Sequence, residues 1–345
     1  MVKVGVIGCG SITKFRHAPE YAAHKDVEIA GFFDLQPERA AEMAAQFGGQ
    51  VYDTVEAMLA DPSIAAVSVC AANRDHARIT IAALQAGKHV LCEKPMATSV
   101  EDAEKMNAAA RETQKYLMIG HNQRLAEAHL KAKKILSSGE LGKVLSFRTS
   151  FSHAGPETWS ADKSVNTWFF RKKDAIMGAM GDLGIHKADL IRWLIGDEIV
   201  EVMALVTALD KKGPDGKLIE VDDNAICILQ SKTGIIGTLS VSWTNYGAED
   251  NSTILYCSEG VMKIYDNPDY PVELFKKNGE KVFYQIGKIQ TNQNQTKSGV
   301  IDLFVDSIIN HTPPEISGEE GLAALKIIAG CMESSRTGQK IRLNS

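Results

Sequence analysis

A glycine pair, Gly8-Cys9-Gly10, follows the apolar run 4–7 directly and leads into a helical stretch through Ser11, Ile12 and Thr13. This placement constrains the fold more than any other feature. Glycines at the end of a first strand permit a tight turn and let backbone N–H groups approach a ligand closely. A second short apolar run, 29–33, ends on Asp34. The order strand, glycine turn, helix, strand, acid is that of a dinucleotide-binding βαβ unit, with pyrophosphate on the positive end of the helix dipole. Asp34 can accept both adenosine ribose hydroxyls of NAD and would repel the 2′-phosphate of NADP, and Leu35 beside it carries no cation. The same aspartate could instead end a strand and begin a turn before Pro37. Thr13 stands where a third glycine is usual.

The alternation continues through apolar runs 66–70, 90–92 and 117–119, separated by helical patterns. One of these opens on Ser99-Val100-Glu101-Asp102, a capping-box-like start. Alternating strands and helices predict a parallel sheet. From about residue 142 the texture changes to segments with partial period-two alternation, 144–151, 200–209, 225–230, 235–243 and 260–265. Polar turns such as Lys211-Lys212-Gly213-Pro214-Asp215-Gly216 separate some of them. Residues 290–298 read as an irregular loop, and helical spacing covers 300–310 and 319–335.

A length of 345 residues exceeds what one core usually serves. The expectation is an α/β Rossmann dinucleotide-binding domain over 1–121 and, over 122–345, an α+β substrate and oligomerisation domain. The latter is built on a large, mostly antiparallel open-faced sheet, its C-terminal helix packing back near the first domain. With 44% apolar and 23% charged residues and a net charge of -5, nothing recommends nucleic acid as a partner. No apolar run is long enough to span a bilayer, and the first eight residues enter a strand at once, so a cytoplasmic location is expected. The six cysteines are scattered without a C-x-x-C pair.

Glu93-Lys94-Pro95, preceded by Ala86-Gly87-Lys88-His89-Val90-Leu91-Cys92, resembles the Gfo/Idh/MocA family of sugar and inositol dehydrogenases. Asn73-Arg74-Asp75-His76 resembles that family's Asn-x-x-His after the third main strand. The segment 181–189, from Gly181-Asp182 to His186 and Asp189, resembles its Asp-x-x-x-His, and Ser335-Arg336-Thr337-Gly338-Gln339 is also similar. Ala72 departs from the family, which often has proline there, and this puts the loop geometry in doubt. The resemblance implies that Gly8, Gly10, Ser11, Ile12, Asp34, Asn73, His76, Glu93 and Lys94 bind NAD, and that Trp168 and Arg171 approach it. It also implies that Lys94, Arg124, Asp182 and His186 meet a sugar or polyol, and that the chain forms a homodimer or homotetramer.

Without the family, Glu93-Lys94-Pro95 is a charged pair at the C-terminal end of a parallel strand, where open α/β sheets hold ligands. Pro95 restricts the backbone of the lysine before it. A solvated lysine before a turn is the plain alternative. Asp182, His186 and Asp189 would share one face of a helix predicted over 182–195. A dipole-stabilising aspartate and an interface histidine explain the same residues without chemistry. Removing a hydride from a secondary alcohol leaves a proton, and an imidazole with its ordinary pKa of about 6.5 suits the task. His186 is therefore assigned as general base, oriented by Asp182, with Lys94 polarising the reacting oxygen by resemblance. Asp189 is left outside this set. Aromatic runs such as that at Trp168 more often build a core. Asp182 and His186 lack a further His or Cys at zinc-ligand spacing, so no metal is expected. An NAD-dependent glycosidase-like enzyme and a non-catalytic dinucleotide-binding regulator are the alternative readings.

Overall fold

The computed structural model describes residues 1–161, 163–287 and 297–343. Two compact units divide it: Met1–Asn122 with Gln290–Leu322, and Gln123–Ile289 with Ala323–Ser345. The first crossing between the units falls between Asn122 and Gln123. Residues after the second sheet, through Leu322, belong to the first unit. Most of the predicted loop 290–298 lies outside the described residues.

In the first unit, strands β1 (Val2–Ile7), β2 (Val27–Phe33), β3 (Gln50–Val51), β4 (Ala66–Val69), β5 (His89–Cys92) and β6 (Leu117–Ile119) form one parallel sheet in the order β3-β2-β1-β4-β5-β6. Helices α1 (Ala18–Ala23), α2 (Pro37–Phe47), α3 (Val55–Ala60), α4 (His76–Gln85) and α5 (Val100–Thr113) connect them. All four residues of β4 are buried, as expected for a parallel strand covered on both faces. The chain leaves β1 toward β2 on one side and resumes at β4 on the other. Their C-terminal ends therefore form the switch point where such sheets bind ligands. The Ser99 hydroxyl caps α5 by accepting the Asp102 N–H at 3.1 Å, as the capping-box pattern predicts.

The second unit contributes α6 (Glu127–Ser138), β7 (Val144–Ser152), α7 (Lys172–Ala175), α8 (Ile185–Ile195), β8 (Ile199–Thr207), β9 (Asn224–Ser231) and β10 (Ile236–Ser242). Hairpin strands β11 (Thr253–Cys257), β12 (Gly260–Ile264), β13 (Val272–Lys276) and β14 (Lys281–Tyr284) follow. Helix α9 (Val300–Ile309) belongs to the first unit. Helix α10 (Gly318–Thr337) gives its residues through Leu322 to the first unit and the rest to the second, and β15 (Ile341–Arg342) follows it. The second sheet runs β14-β13-β12-β11-β7-β10-β9-β8-β15 and is antiparallel throughout except where β10 pairs in parallel with β7.

One face of this sheet buries Val202, Cys227, Leu229, Leu239 and Val241; the other leaves Met203, Leu205, Ile226, Ile228 and Ile236 exposed. Ser334 and Ser335 of α10 accept the Ala204 and Val206 N–H groups at 3.0 and 2.8 Å, which satisfies part of the β8 edge. Among the described residues no helix is long and apolar enough to cross a membrane.

Candidate functional site

The turn after β1 is built around Gly8, whose φ of 96° suits glycine and whose added Cβ would lie 2.5 Å from the Cys70 carbonyl oxygen. Gly8 is thereby pressed against the end of β4. A Cβ at Gly10 would meet nothing within 4 Å, so the backbone there faces open space of the kind a pyrophosphate needs. Thr13, in place of the third glycine, is fully buried and donates its hydroxyl to the Gly8 carbonyl at 2.5 Å, tying the helix back onto the turn. Ser11 and Ile12 are half-buried at the helix opening, which proceeds as a π-helical turn, Thr13–His17, into α1.

Asp34 accepts the Cys9 N–H at 2.7 Å on one oxygen and the Gln36 N–H at 2.8 Å on the other. Turn-forming and ligand-facing roles are therefore compatible, since each carboxylate oxygen can accept more than one bond. Arg39, one turn into α2, carries a charge close enough to influence Cys9, as Asp34 does. Sequence reasoning looked only at Leu35 and passed over it. The turn, its open side and the acid fit NAD.

Lys94 is half-buried at the end of β5, and its N–H donates to Glu93 Oε2 at 3.2 Å. The Lys94–Pro95 peptide is cis. Asn73 is buried in a short 3₁₀ turn before α4. The side chains of His76 and Glu93 both have partners within the first unit. The buried His76 ring lies between two backbone carbonyls, Pro95 O at 2.8 Å from Nδ1 and Ala71 O at 3.0 Å from Nε2. Burial, outweighing these bonds, lowers its pKa. With both nitrogens turned to backbone, His76 braces the Lys94-Pro95 turn. Glu93 is likewise buried and engaged by His17 at 2.8 Å. Ala72 has φ -68°, the value a proline would impose, so the departure from the family leaves the loop's shape intact.

In the second unit, Asp182 lies on a π-helical turn, Met180–Gly184, that runs into α8, so the helix predicted from 182 starts two residues earlier and is not α-helical there. Such turns recur at functional sites. Asp222 holds this start: its two oxygens accept the Gly178 and Met180 N–H groups, each at 2.7 Å. Burial raises its pKa, opposed by those two bonds. A side chain at Gly178 would lie 1.8 Å from the Asp222 carbonyl oxygen, so only glycine fits. Asp182 is buried and accepts the Trp243 indole N–H at 3.3 Å. His186 is buried in the first turn of α8, its ring 5.9 Å from that of Phe151.

Asp189 does not extend this face. It is turned to Arg124, which donates Nε to Oδ2 at 2.8 Å and Nη2 to Oδ1 at 2.5 Å. The Arg124 guanidinium is 3% exposed and bidentate to a carboxylate 1% exposed, a buried ion pair. Trp168 stacks on Phe169 at 3.9 Å, and Phe169 and Phe170 pack on Trp243, so the aromatic run supports the indole that holds Asp182. Arg171 donates to Asp174 at 2.5 Å and to the Asn166 carbonyl at 2.7 Å, a local brace. Asp222, Trp243 and Phe151 were missed from the sequence because each lies far along the chain from the residues it supports. Among the described residues no group of three or more metal-ligating side chains gathers.

Residues 2–121 match the family described as oxidoreductase family, NAD-binding Rossmann fold, and residues 129–263 match the Gfo/Idh/MocA C-terminal domain. Levoglucosan dehydrogenase of Pseudarthrobacter phenanthrenivorans is 31% identical over 292 residues, 75% of this chain and 72% of its own length. Myo-inositol 2-dehydrogenase of Thermotoga maritima is 25% identical over 99% of this chain and 98% of its own. The solved structure of GenD2 from gentamicin A biosynthesis in complex with NAD matches with a TM-score of 0.86 at 26% identity, covering 100% of this chain and 97% of GenD2. A glycine turn open to a pyrophosphate, an acid closing β2 and matches over both domains together mean that this chain belongs to the Gfo/Idh/MocA family of oxidoreductases, with an NAD-binding Rossmann domain.

Proposed function

We propose that this chain oxidises a hydroxyl-bearing carbon of a sugar or cyclic polyol, or runs the reverse reduction. The observation that carries the reading is the start of α8, where Asp182, fixed by Trp243, and His186, beside Phe151, occupy successive buried turns. When bound, NAD supplies the hydride acceptor at its nicotinamide ring. Gly8, Gly10, Ser11 and Ile12 would cradle its pyrophosphate, Asp34 its adenosine ribose, and Asn73 would line the cleft beyond β4.

Oxidation of a secondary alcohol takes a hydride from carbon and a proton from oxygen, leaving a carbonyl. His186 removes that proton as general base. Asp182 orients the imidazole and accepts a hydrogen bond from a substrate hydroxyl, and Lys94 holds the reacting oxygen with its ammonium. The test is NADH absorbance on mixing protein and NAD with inositols, aldoses, deoxysugars and anhydrosugars, levoglucosan and myo-inositol among them. One class should respond. His186→Ala and Lys94→Ala should each lose about a hundred- to ten-thousand-fold in rate while NADH still binds. Full activity in either variant, or silence across the panel with NADH bound, contradicts the assignment.

The exposed face of the second sheet favours a homodimer or homotetramer. Leu205 lies opposite Ile226 and Met203 opposite Ile228, four apolar side chains in exposed register. Contiguous apolar surface of this kind marks association sites.

A further inference from the structure

Beneath the glycine turn of the first unit runs a buried chain of polar groups that the proposed chemistry does not use. The Tyr21 hydroxyl and the Ser68 hydroxyl lie 2.7 Å apart, Ser68 Oγ lies 3.1 Å from His17 Nδ1, and His17 Nε2 lies 2.8 Å from Glu93 Oε1. The second Glu93 oxygen accepts the Lys94 N–H. Tyr21, Ser68, His17 and Glu93 are all buried. His17 closes the π-helical turn that begins at the glycine turn, Ser68 is on β4, and Glu93 and Lys94 follow β5. From the end of β6, a Cβ on Gly120 would stand 2.9 Å from Glu93 Oε1, so the carboxylate has little room to turn elsewhere.

The electrostatics agree with this geometry. Burial alone would push the His17 ring toward neutrality, but the Cys70 sulfur and the Glu93 carboxylate outweigh it and raise the ring to about 10. Of these two, a carboxylate is the one ordinarily charged at neutral pH. Burial would raise Glu93, yet the His17 hydrogen bond and the charges of His17, Lys94 and Arg16 hold it well below the usual carboxylate range. A buried carboxylate without such partners would take up a proton and lose its hold on neighbouring donors. Buried pairs of this kind are a poor source of stability and a good source of fixed geometry.

We propose that His17 is a positioning residue: anchored on Ser68 through one ring nitrogen, it fixes the Glu93 carboxylate with the other, and Glu93 in turn sets the backbone from which Lys94 presents its ammonium. The inference rests on the reading of Lys94 as the residue that holds the reacting oxygen. It joins the helix that opens at the glycine turn to the strand end that carries Lys94.

The test is steady-state kinetics on the full chain with saturating NAD, comparing wild type, His17→Gln, Lys94→Ala and the double variant, with NADH affinity measured by fluorescence. Glutamine reaches Glu93 with one neutral donor and gives up the Ser68 anchor. Displacement of a reacting group by about an ångström can cost about a hundredfold, and His17→Gln should lower kcat on that order with NADH affinity little changed. On the Lys94→Ala background the same substitution should change kcat by no more than about twofold, because its effect passes through the missing lysine. Equal losses on both backgrounds, or wild-type kcat in His17→Gln, overturn the proposal. Should His17→Gln fail to fold, Ser68→Ala removes only the anchor and is compared in the same cycle, with the same outcomes deciding. A fully active Lys94→Ala sinks the lysine assignment and this inference with it, whereas an inactive Lys94→Ala beside an unaffected His17→Gln sinks this inference alone.

Discussion

Replacing Arg124 with methionine separates a structural arginine from a substrate-binding one. Methionine keeps most of the stem but leaves the Asp189 carboxylate, 1% exposed, without the two hydrogen bonds at 2.8 and 2.5 Å that it now accepts. Breaking a buried ion pair by removing one partner costs about 3–5 kcal/mol, because the remaining charge stays desolvated. In a unit of this size each kcal/mol moves the melting temperature by about 2–4 °C, so a fall of about 6–20 °C is expected. Replacing both partners, Arg124→Met with Asp189→Val, should recover most of that loss, since an apolar pair removes the uncompensated charge. The assay is thermal unfolding of the three proteins without substrate, followed by kcat/KM on the same preparations. An unchanged melting temperature in Arg124→Met together with a raised sugar KM would refute the reasoning and return Arg124 to the substrate.

Three further outcomes follow from the same geometry. Asp34→Ser removes the carboxylate proposed to face the adenosine ribose while Arg39 remains nearby; NADH should bind about ten- to a hundredfold more weakly and NADPH no worse, by fluorescence titration. Wild-type protein that binds NADPH more tightly than NADH contradicts the role of Asp34. Lys187 is fully buried, donates to the Asn251 carbonyl at 2.9 Å, and is lowered to about 7 by burial, with Asp250 and Glu249 opposing. Between the folded value near 7 and the unfolded value of 10.5, the unfolded chain holds a proton that the folded chain lacks, so this group's contribution to stability rises with pH. Wild type should therefore gain on Lys187→Met by on the order of a few kcal/mol from pH 7 to pH 10 in urea unfolding, and parallel curves would exclude it. Leu205→Glu with Ile226→Glu sets two carboxylates opposite each other on the exposed sheet face. Light scattering should show a smaller particle than wild type, and equal masses would remove that face as the interface.

Much of the first unit was legible because its strands are short, continuous apolar runs bounded by glycine, proline or a capping serine. Gln50–Val51 escaped notice since a two-residue exposed edge strand has no period to read. In the second unit the alternation located β7 to β10 and β12 but not β11; Glu273 and Lys276 put charge on both faces of β13, and β14 is only four residues long. Glu93, Lys94, Asp182 and His186 stood out as charge at the ends of predicted elements. What they lean on did not: Asp222, Trp243 and Ser68 are brought in by sheet topology, and His17 looks like any polar residue of a helix. Arg124 and His76 were assigned to ligands by resemblance to family motifs, and such motifs do not show the carboxylate and carbonyls that also bond them.

The most direct test of hydride transfer uses sugars and inositols deuterated at their ring carbons. After reaction with NAD, magnetic resonance of the reduced cofactor should show deuterium at the nicotinamide ring, formation should slow relative to the undeuterated compound, and the signal should vanish in His186→Ala. Reduced cofactor carrying hydrogen from water, or no reduction by any compound that the protein binds, would contradict the account.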